Sequence, residues 1–584
     1  TTGSKTGDVV VSTVNGVSMN GTVGSGAQAF LQIGHGGYSS GGTTMSGVVS
    51  VTASAANSAV TLRGGIESYN YAMIGHGGGS SAATNGKIGA ITVSAGSGGI
   101  TLKGGGTNIV GGAIAPVSFA QIGHGGSTSG GPANGTINVT TTNKGDVILH
   151  GGGKQYTHAQ IGHGGRSSVT GLQSGAITVV SDGKVEVKGA VDPDTGLPSA
   201  IANETFAQIG HGGMFSSGTF GGEIKVNAQN GVLLETGASF YSRAQVGHGG
   251  YGAGTSAGAA VEMVNANVTV TTLSGGVILD ATKANTRGYA LAMIGNGGTG
   301  LATAVRSGAF RGDIVVDGGT GNIELHSGSS GGSGAMIGNG GTSLSGDHSG
   351  RIDVSAEGDL IMDLRTSLTN NTFSRIGHGG VGATNAGVDL AMSGNMSGDI
   401  CVHVGGKAVL NASGGTKVDN YVQIGHGGSR VTGDFTGNIT VVARGSDGLT
   451  LTGGAGTGAY SQIGHGGRNT AGTMNGHVYV VAETGNIALS GGGTDSYAMF
   501  GHGDGSKTST GQRGGGMHIF ANGDLTGAGG SGGVNQGNVY IFHQNNNGLQ
   551  PADYIVGSGN GYQKVVNGNT SLPGYTTVDE GTMI

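Results

Sequence analysis

The sequence predicts an all-β protein built as a parallel β-solenoid, and three observations support this fold class. The phrase Ala-Gln-Ile-Gly-His-Gly-Gly recurs twelve times, with variants, along the 584 residues. Two other phrases with strand-like patterns precede it in nearly every copy. Differences in length between copies fall between these phrases and not within them. Stacked strands joined by variable corners explain all three observations, because each strand must pair with its copy in the next coil.

One position of the repeated phrase, called the pivot from here on, is histidine in ten copies and asparagine in two. Successive pivots lie 37 to 48 residues apart, which sets the length of one coil. The pattern predicts about 12 to 14 coils with three strands each. The pivots are His35, His76, His124, His163, His211, His248, Asn296, Asn339, His378, His426, His465 and His502.

Three strand signals make up each repeat. The first reads Gly-x-Ile/Val-x-Val, as in Gly135 to Val139, and its branched residues alternate with polar ones, which is typical of a half-buried strand. The second follows about ten residues later, as in Val147 to Leu149. The third is the repeated phrase itself, in which Ile122 and the pivot His124 share one parity. Both side chains are therefore predicted to point inward.

A β-propeller-like repeat is the alternative fold, because a four-stranded blade has a similar length. Propellers close after typically 4 to 8 blades, whereas this chain has twelve copies, so the solenoid is preferred. The solenoid is predicted over residues 1–506. Residues 507–584 keep two first-strand signals, Gly515 to Ile519 and Gly537 to Ile541, but lack the repeated phrase. This tail is predicted to form degenerate coils and either to cap the solenoid or to join subunits.

Composition excludes several classes of protein. The chain holds 134 glycines but only 6 prolines, without the strict third-residue glycine of collagen. Charged residues make up 10% of the chain and the net charge is -6, and the sequence has no basic stripe, which argues against nucleic-acid binding. No apolar run is long enough to span a membrane. The lone Cys401 excludes an intrachain disulfide.

The pivots invite two interpretations. Stacked imidazoles about 5 Å apart are within reach of a shared metal ion. Asn296 and Asn339, however, replace histidine with no other change in the phrase, and asparagine is a poor transition-metal ligand. Histidine and asparagine share hydrogen-bonding side chains. The sequence therefore predicts that all twelve pivots form a structural ladder at a corner of the coil, with no metal and no cofactor.

An aromatic residue often lies five residues before the pivot, where its parity predicts an outward side chain. Such a column is a candidate ligand or lateral-contact stripe, because exposed rings stack on sugars or on another molecule. The alternative is that a neighbouring loop folds over the rings and forms a satellite core. The stripe consists of Phe30, Tyr71, Phe119, Phe206, Phe373, Tyr421, Tyr460 and Tyr497.

The acidic residues do not assemble a catalytic pair in the sequence. Asp313 and Asp399 occupy the same place in the first strand, and Glu67 and Glu204 fall in corners, but most coils have no acid there. A hydrolase or lyase needs an acid and a base side by side. We therefore expect no enzymatic activity, and no calcium repeat occurs in the sequence.

The alternation Gly-x-Ile-x-Val followed by Gly-x-Val-x-Leu-x-Gly-Gly, as in Gly135 to Val139 and Gly145 to Gly152, resembles bacterial exoproteins of the filamentous haemagglutinin type and β-helical autotransporter passengers. The resemblance covers residues 1 to about 530. It implies a secreted protein at the cell surface that acts as an adhesin or fibre. The Gly-His-Gly-Gly phrase is not general in that group, and the chain contains no secretion domain or membrane barrel.

These observations predict an extracellular structural or adhesive solenoid, a building block or segment of a cell-surface fibre that assembles end to end. Its expected partners are other copies of itself, and glycans or the surface of a host or neighbouring cell. A carbohydrate-binding rod that uses the aromatic stripe is the alternative. A polysaccharide-degrading β-helix enzyme is less favoured.

Overall fold

The computed structural model of this chain contains only β-structure in the residues it describes. These residues are 3–21, 27–106, 117–167, 171–199, 202–252, 261–284, 288–300, 306–365, 369–385, 388–504, 510–529, 538–541, 544–545, 548–549, 554–558 and 565–567. Within them, no helix long and apolar enough to cross a membrane is found.

The chain divides into two compact units. Unit 1 comprises Thr1–Gly275, Thr286–Leu301 and Arg306–Asp313, and unit 2 comprises Gly276–Asn285, Ala302–Val305 and Ile314–Ile584. Each unit is a parallel β-solenoid in which every coil contributes strands to four columns. A column is the parallel sheet formed by equivalent strands of successive coils.

In unit 1 the four columns follow one another along each coil. Column 1 contains Lys5–Thr6, Met45–Ser46, Lys87–Ile88, Ala133–Asn134, Gln173–Ser174, Thr219–Gly221, Val261–Val264 and Arg306–Arg311. Column 2 contains Val9–Thr13, Val49–Ala53, Ile91–Ala95, Ile137–Thr141, Ile177–Ser181, Ile224–Ala228 and Val268–Thr272. Column 3 contains Gly16–Asn20, Ala59–Arg63, Gly99–Lys103, Val147–His150, Val185–Lys188 and Val232–Glu235. Column 4 contains Phe30–Ile33, Tyr71–Ile74, Phe119–Ile122, His158–Ile161, Phe206–Ile209, Arg243–Val246 and Leu291–Ile294.

Unit 2 repeats this order. Column 1 contains His348–Ser349, Met396–Ser397, Phe435–Thr436, Met474–Asn475 and Arg513–Gly514. Column 2 contains Ile314–Asp317, Ile352–Ala356, Ile400–Val404, Ile439–Ala443, Val478–Ala482, Met517–Ala521 and Tyr554–Ser558. Column 3 contains Val277–Asp280, Ile323–His326, Leu360–Asp363, Ala408–Asn411, Leu449–Thr452, Ile487–Ser490, Leu525–Ala528 and Val565–Asn567. Column 4 contains Gly334–Ile337, Phe373–Ile376, Tyr421–Ile424, Tyr460–Ile463, Tyr497–Phe500 and Asn538–Ile541.

Short strands outside the columns lie in the corners. They are Gly41–Gly42, Ala82–Ala83 and Gly297–Thr299 in unit 1, and Gly340–Thr342, Leu344–Ser345, Gly379–Val381, Ala383–Asn385, Val388–Leu390, Met392–Ser393, Gly427–Ser429, Val431–Thr432, Gln544–Asn545 and Gly548–Leu549 in unit 2. These corners hold the length differences between coils, as the sequence predicts.

The predicted parallel β-solenoid is confirmed, but each coil has four strand columns and not three. The additional column 1 consists mostly of two-residue strands just before the glycine of the first-strand phrase, such as Met45–Ser46 before Gly47. Two residues are too few to show a period, which is why the sequence pattern misses them. Parallel pairing within each column also excludes the propeller, whose blades need antiparallel strands.

The core of each coil is built from branched residues stacked in register. In column 2 of unit 1, Ile91, Ile137, Ile177 and Ile224 pair one above the other, and all four side chains are fully buried. Their strand neighbours alternate between buried and exposed, as period-two strands require. Burying these side chains against neighbouring coils is what holds the solenoid together.

The tail departs from the sequence prediction at one strand. Gly515 to Ile519 lies in column 2, as predicted, because Met517 pairs with Val478. The strand Asn538–Ile541 pairs instead with Tyr497–Phe500 in column 4, so assigning Gly537 to Ile541 to the first strand is wrong. The alternating apolar residues of this strand fit either column. Most of the predicted cap or joining segment lies outside the described residues.

Candidate functional site

The pivots of unit 1 form a continuous ladder of hydrogen bonds to the main chain. The backbone N–H of each pivot donates to the ring Nδ1 of the pivot in the next coil, at 3.0 Å throughout the run of histidines. The ring Nε2 lies 2.8 to 2.9 Å from the carbonyl of the glycine that opens the first-strand phrase, such as Gly135 for His163. Each ring therefore closes its own coil and fastens it to the preceding one.

The ladder of unit 2 has the same geometry. The backbone N–H of Asn339, His378, His426 and His465 donates to Nδ1 of the next pivot at 2.9 to 3.1 Å. Adjacent rings stack with centroids 4.7 to 4.8 Å apart, against 4.7 to 4.9 Å in unit 1. One coil therefore advances by the spacing of one parallel strand.

These partners fix the protonation state of the rings. A backbone N–H can only donate, so Nδ1 carries no proton, and a carbonyl can only accept, so Nε2 does. The imidazoles that accept such a bond, from His76 onward, are therefore neutral. Burial in the coil lowers the pKa of His124 to about 3, and that of His248 and His465 to about 4. Because both ring nitrogens bind main-chain atoms, no lone pair is left to hold a metal ion.

The asparagine pivot of unit 1, Asn296, reproduces the bonds of histidine. The side-chain Oδ1 of Asn296 accepts the N–H of His248 at 2.9 Å, in the place of Nδ1. The amide nitrogen of Asn296 donates to the carbonyl of Ala266, in the place of Nε2. This is the geometry that the corner-ladder prediction requires. Among the described residues, no group of three potential ligands is positioned to hold a metal ion.

Glutamine side chains two residues before the Gly-His pair support the same corner. In unit 1, Nε2 of Gln160 donates to the carbonyls of Gly210 and Gly212, which flank the next pivot, at 2.9 and 3.2 Å. Gln423 and Gln462 make the same bonds in unit 2, where Arg375 replaces glutamine and donates to Gly425 and Gly427. The carbonyls that converge at these corners are thus bound by a side-chain donor.

The aromatic stripe predicted to face outward is buried. Tyr71, Phe119, Phe206, Phe373, Tyr421, Tyr460 and Tyr497 are fully buried, and only Phe30 is substantially exposed, at 42%. The predicted exposure is therefore wrong for seven of the eight residues, which cannot contact a ligand or a lateral partner. The rings stack on one another, with His158 between Phe119 and Phe206, at centroid distances of 4.6 to 5.2 Å in unit 1.

The turn after the pivot explains this burial. The second glycine after the pivot lies against the ring of column 4: a Cβ at Gly213 would meet Phe206 at 3.0 Å, and one at Gly467 would meet the Tyr460 hydroxyl. Glycine is required here because φ is positive and because a Cβ would also meet the carbonyl of the equivalent glycine in the preceding coil, at 2.4 Å for Gly213. The corner thus covers the outer face of column 4, as the satellite-core alternative expects.

No protein-family model, curated protein or solved structure matches this chain. The likeness to haemagglutinin-type exoproteins therefore remains a proposal based on the repeat phrases.

A site that the sequence analysis missed lies two residues before column 4. At this place, called the left-handed position from here on, the backbone has positive φ in both units. In unit 1 four of its occupants belong to a cluster of aromatic and charged side chains, called the aromatic cluster. It consists of Tyr156, Arg166, Glu204, Phe215, Tyr241, Tyr251 and Tyr289.

The rings of the aromatic cluster are in close contact. The centroid of Tyr241 lies 4.4 Å from that of Tyr251 and 5.4 Å from that of Tyr289. The guanidinium of Arg166 lies 4.2 Å from the centroid of the Tyr156 ring. Burial and the nearby Glu204 carboxylate raise the pKa of Tyr156. Tyr251 is buried, whereas the other rings of the cluster are partly exposed.

Unit 2 fills the equivalent places with ions. Asp419 occupies the left-handed position and pairs with Arg430 and Arg468, which follow their pivots by four and three residues. Phe215 and Tyr251 stand at these two places in unit 1. The Asp419 carboxylate is fully buried, so these pairs are shielded from solvent.

One group of acids comes together in unit 2 on neighbouring coils. His326 Nδ1 lies 2.9 Å from Asp363 and its Nε2 lies 3.0 Å from Glu324. Burial lowers the pKa of His326, but the hydrogen bonds to Asp363 and Glu324 and the charge of Asp363 together outweigh this effect, so the pKa is raised. Both carboxylates hold the same imidazolium. Asp399 is exposed and accepts the backbone N–H of Asn438.

Proposed function

We propose that this chain is an extracellular structural and adhesive β-solenoid, a building block or segment of a cell-surface fibre whose copies join end to end. The observation that carries the proposal is the pivot ladder, in which each coil is fastened to the next by the same main-chain and ring contacts. A coil edge of this kind is complementary to the edge of another identical coil. A heterologous contact that does not close on itself produces a filament.

The chemistry of the interior supports a structural role. The pivots, the most regularly placed polar groups in the sequence, bind main-chain atoms on both sides. The glutamines beside them donate to corner carbonyls. The sequence-predicted carbohydrate stripe loses its basis, because seven of its eight residues are buried.

Electron microscopy of the full chain across a range of concentrations tests the assembly. We expect fibres about one solenoid wide, and discrete particles at every concentration would overturn end-to-end joining. Ser12→Pro is the test variant. The backbone N–H of Val9 donates to the next coil. Because successive N–H groups along a strand point in opposite directions, the N–H of Ser12 points away from that coil. Proline removes this donor and is tolerated on edge strands. The variant should stay folded but form no fibres.

A further inference from the structure

We propose that the aromatic cluster of unit 1 is a glycan-binding surface that takes a neutral, β-linked hexopyranose chain. The proposal does not depend on fibre formation, because the cluster lies within one unit. It also differs from the sequence-predicted stripe, whose rings are covered by the turn after the pivot.

The arrangement of rings suits a sugar chain. The left-handed position carries Tyr241 and Tyr289 on successive coils, and their rings stack with an interplanar angle of 14° at 5.4 Å. Both residues are partly exposed, so the cluster offers aromatic surface to a sugar. β-Linked hexopyranoses with equatorial hydroxyls present C–H groups on both faces, and such faces stack on Tyr and Phe rings.

Polar groups between the rings suit sugar hydroxyls. The carboxylate of Glu204 lies 3.5 Å from the hydroxyl of Tyr251 and 3.3 Å from the amide nitrogen of Gln155. On the coil before that of Glu204, Arg166 lies over the ring of Tyr156. A carboxylate beside amide, hydroxyl and guanidinium donors can bind vicinal hydroxyls as both donors and acceptors. One anion and one cation at the surface favour a neutral chain over a charged one.

The backbone does not explain the choice of tyrosine. The left-handed region suits glycine, asparagine and aspartate and is costly for bulky side chains. Unit 2 uses these cheaper residues at the same position, as in Gly332, Asn371 and Asp419. In unit 1, Tyr156, Tyr241 and Tyr289 all adopt positive φ, at 64°, 57° and 64°. Such strain is typical of residues retained for binding.

Affinity electrophoresis of the full chain tests the surface, with hydroxyethylcellulose as the β-linked glucan, dextran as an α-linked glucan and polygalacturonate as an acidic glycan. We expect retardation by hydroxyethylcellulose alone. Retardation only by polygalacturonate would overturn the proposal in favour of an anion site. No retardation in any gel would overturn glycan binding altogether, and fibres seen by microscopy would be unaffected by that result.

The double substitution Tyr241→Asn and Tyr289→Asn removes two rings and places at the left-handed position a residue that unit 2 already tolerates there. We expect binding to hydroxyethylcellulose to weaken about tenfold for each ring. Tyr479→Asn is the control, since Tyr479 is partly exposed but lies in unit 2, stacked on His518. Equal weakening by the control, or unchanged binding of the double variant, would contradict the location.

A second variant keeps the proposal testable if loss of the rings disturbs folding. Glu204→Gln keeps shape and removes charge, and glutamine occurs at the left-handed position as Gln28. We expect weaker glycan binding at an unchanged melting temperature. The chain has 15 tyrosines and no tryptophan, so tyrosine emission reports directly on sugar stacking. A titration with hydroxyethylcellulose that leaves this emission unchanged in the wild type would overturn the proposal.

Discussion

Units 1 and 2 share one backbone plan but cover it with different side chains. At the left-handed position unit 1 carries tyrosines, of which Tyr241 packs against Tyr251, and Tyr251 also contacts Phe215. Unit 2 places Asp419 there and pairs it with Arg430 and Arg468. The corner conformation is therefore independent of what covers it. Rings and ion pairs are alternative solutions to the same packing problem, and only the rings leave an apolar surface partly exposed.

Acidification should produce the largest difference in stability between the two units. Burial lowers the pKa of histidines below 6.5 in both units, among them His124 and His248 in unit 1 and His426 and His465 in unit 2. In the unfolded chain these histidines bind protons at a higher pH than in the folded protein. Their contribution to stability is therefore fully present above about pH 6.5 and falls as the pH drops towards the lowered pKa values. Each histidine lowers the free energy of unfolding by about 1.4 kcal/mol per pH unit in this window.

Unit 2 should open at a lower pH than unit 1, because its His326 has a raised pKa and retains its ion pairs in mild acid. Hydrogen exchange measured by mass spectrometry between pH 7 and 4, corrected for intrinsic rates, checks this order. Simultaneous opening, or no loss of protection in the window, would contradict the neutral ladder.

Loss of the buried charge at Asp419 should destabilise unit 2 alone. Asp419→Asn leaves two guanidiniums without their carboxylate, and breaking a buried pair costs about 3 to 5 kcal/mol. Asp495→Asn is the matched control, since Asp495 occupies the same position and makes no ion pair among the described residues. Thermal unfolding should show a lower transition for the first variant and little change for the second. Equal effects would mean that the ion pairs contribute nothing.

Substitution of a pivot histidine should have the same effect on stability in both units. His163→Leu in unit 1 leaves the N–H of His124 and the carbonyl of Gly135 unbound, and should cost about 1 to 3 kcal/mol. His426→Leu should do the same in unit 2. His163→Asn should be nearly neutral, since Asn296 already serves as a pivot. Urea unfolding measures all three, and equal stability of the leucine and asparagine variants would rule out the ladder bonds as a source of stability.

The smallest expected effect is a gain in stability. Met73 and Met336 pair in register with Gln121 and Arg375, the neighbouring residues that donate to corner carbonyls. Met73→Gln would offer a donor to the carbonyls of Gly123 and Gly125 and should stabilise unit 1 by about 1 kcal/mol. Met336→Gln should do so in unit 2. A lower melting temperature for either variant would show that packing of the thioether outweighs the new hydrogen bonds.

The periodic parts of the fold are predictable from the sequence. Columns 2, 3 and 4 follow from recurring phrases, and the pivots from the exchange of histidine and asparagine. In column 4 parity does not predict exposure, because the corner covers the outer face and all four residues of strands such as Phe119–Ile122 are buried. Column 1 is too short to show a period. The aromatic cluster depends on positive φ values and on contacts between coils, which a linear pattern does not reveal.

The ladder rungs join side chain to main chain and never one side chain to another. The identity of one pivot therefore places no demand on the identity of the next, and Asn296 can follow His248 without a compensating change. A duplicated coil brings its own ring, its own glycine carbonyl and its own backbone amide. A protein built in this way can gain whole coils, or change a single coil, without altering the contacts of the other coils.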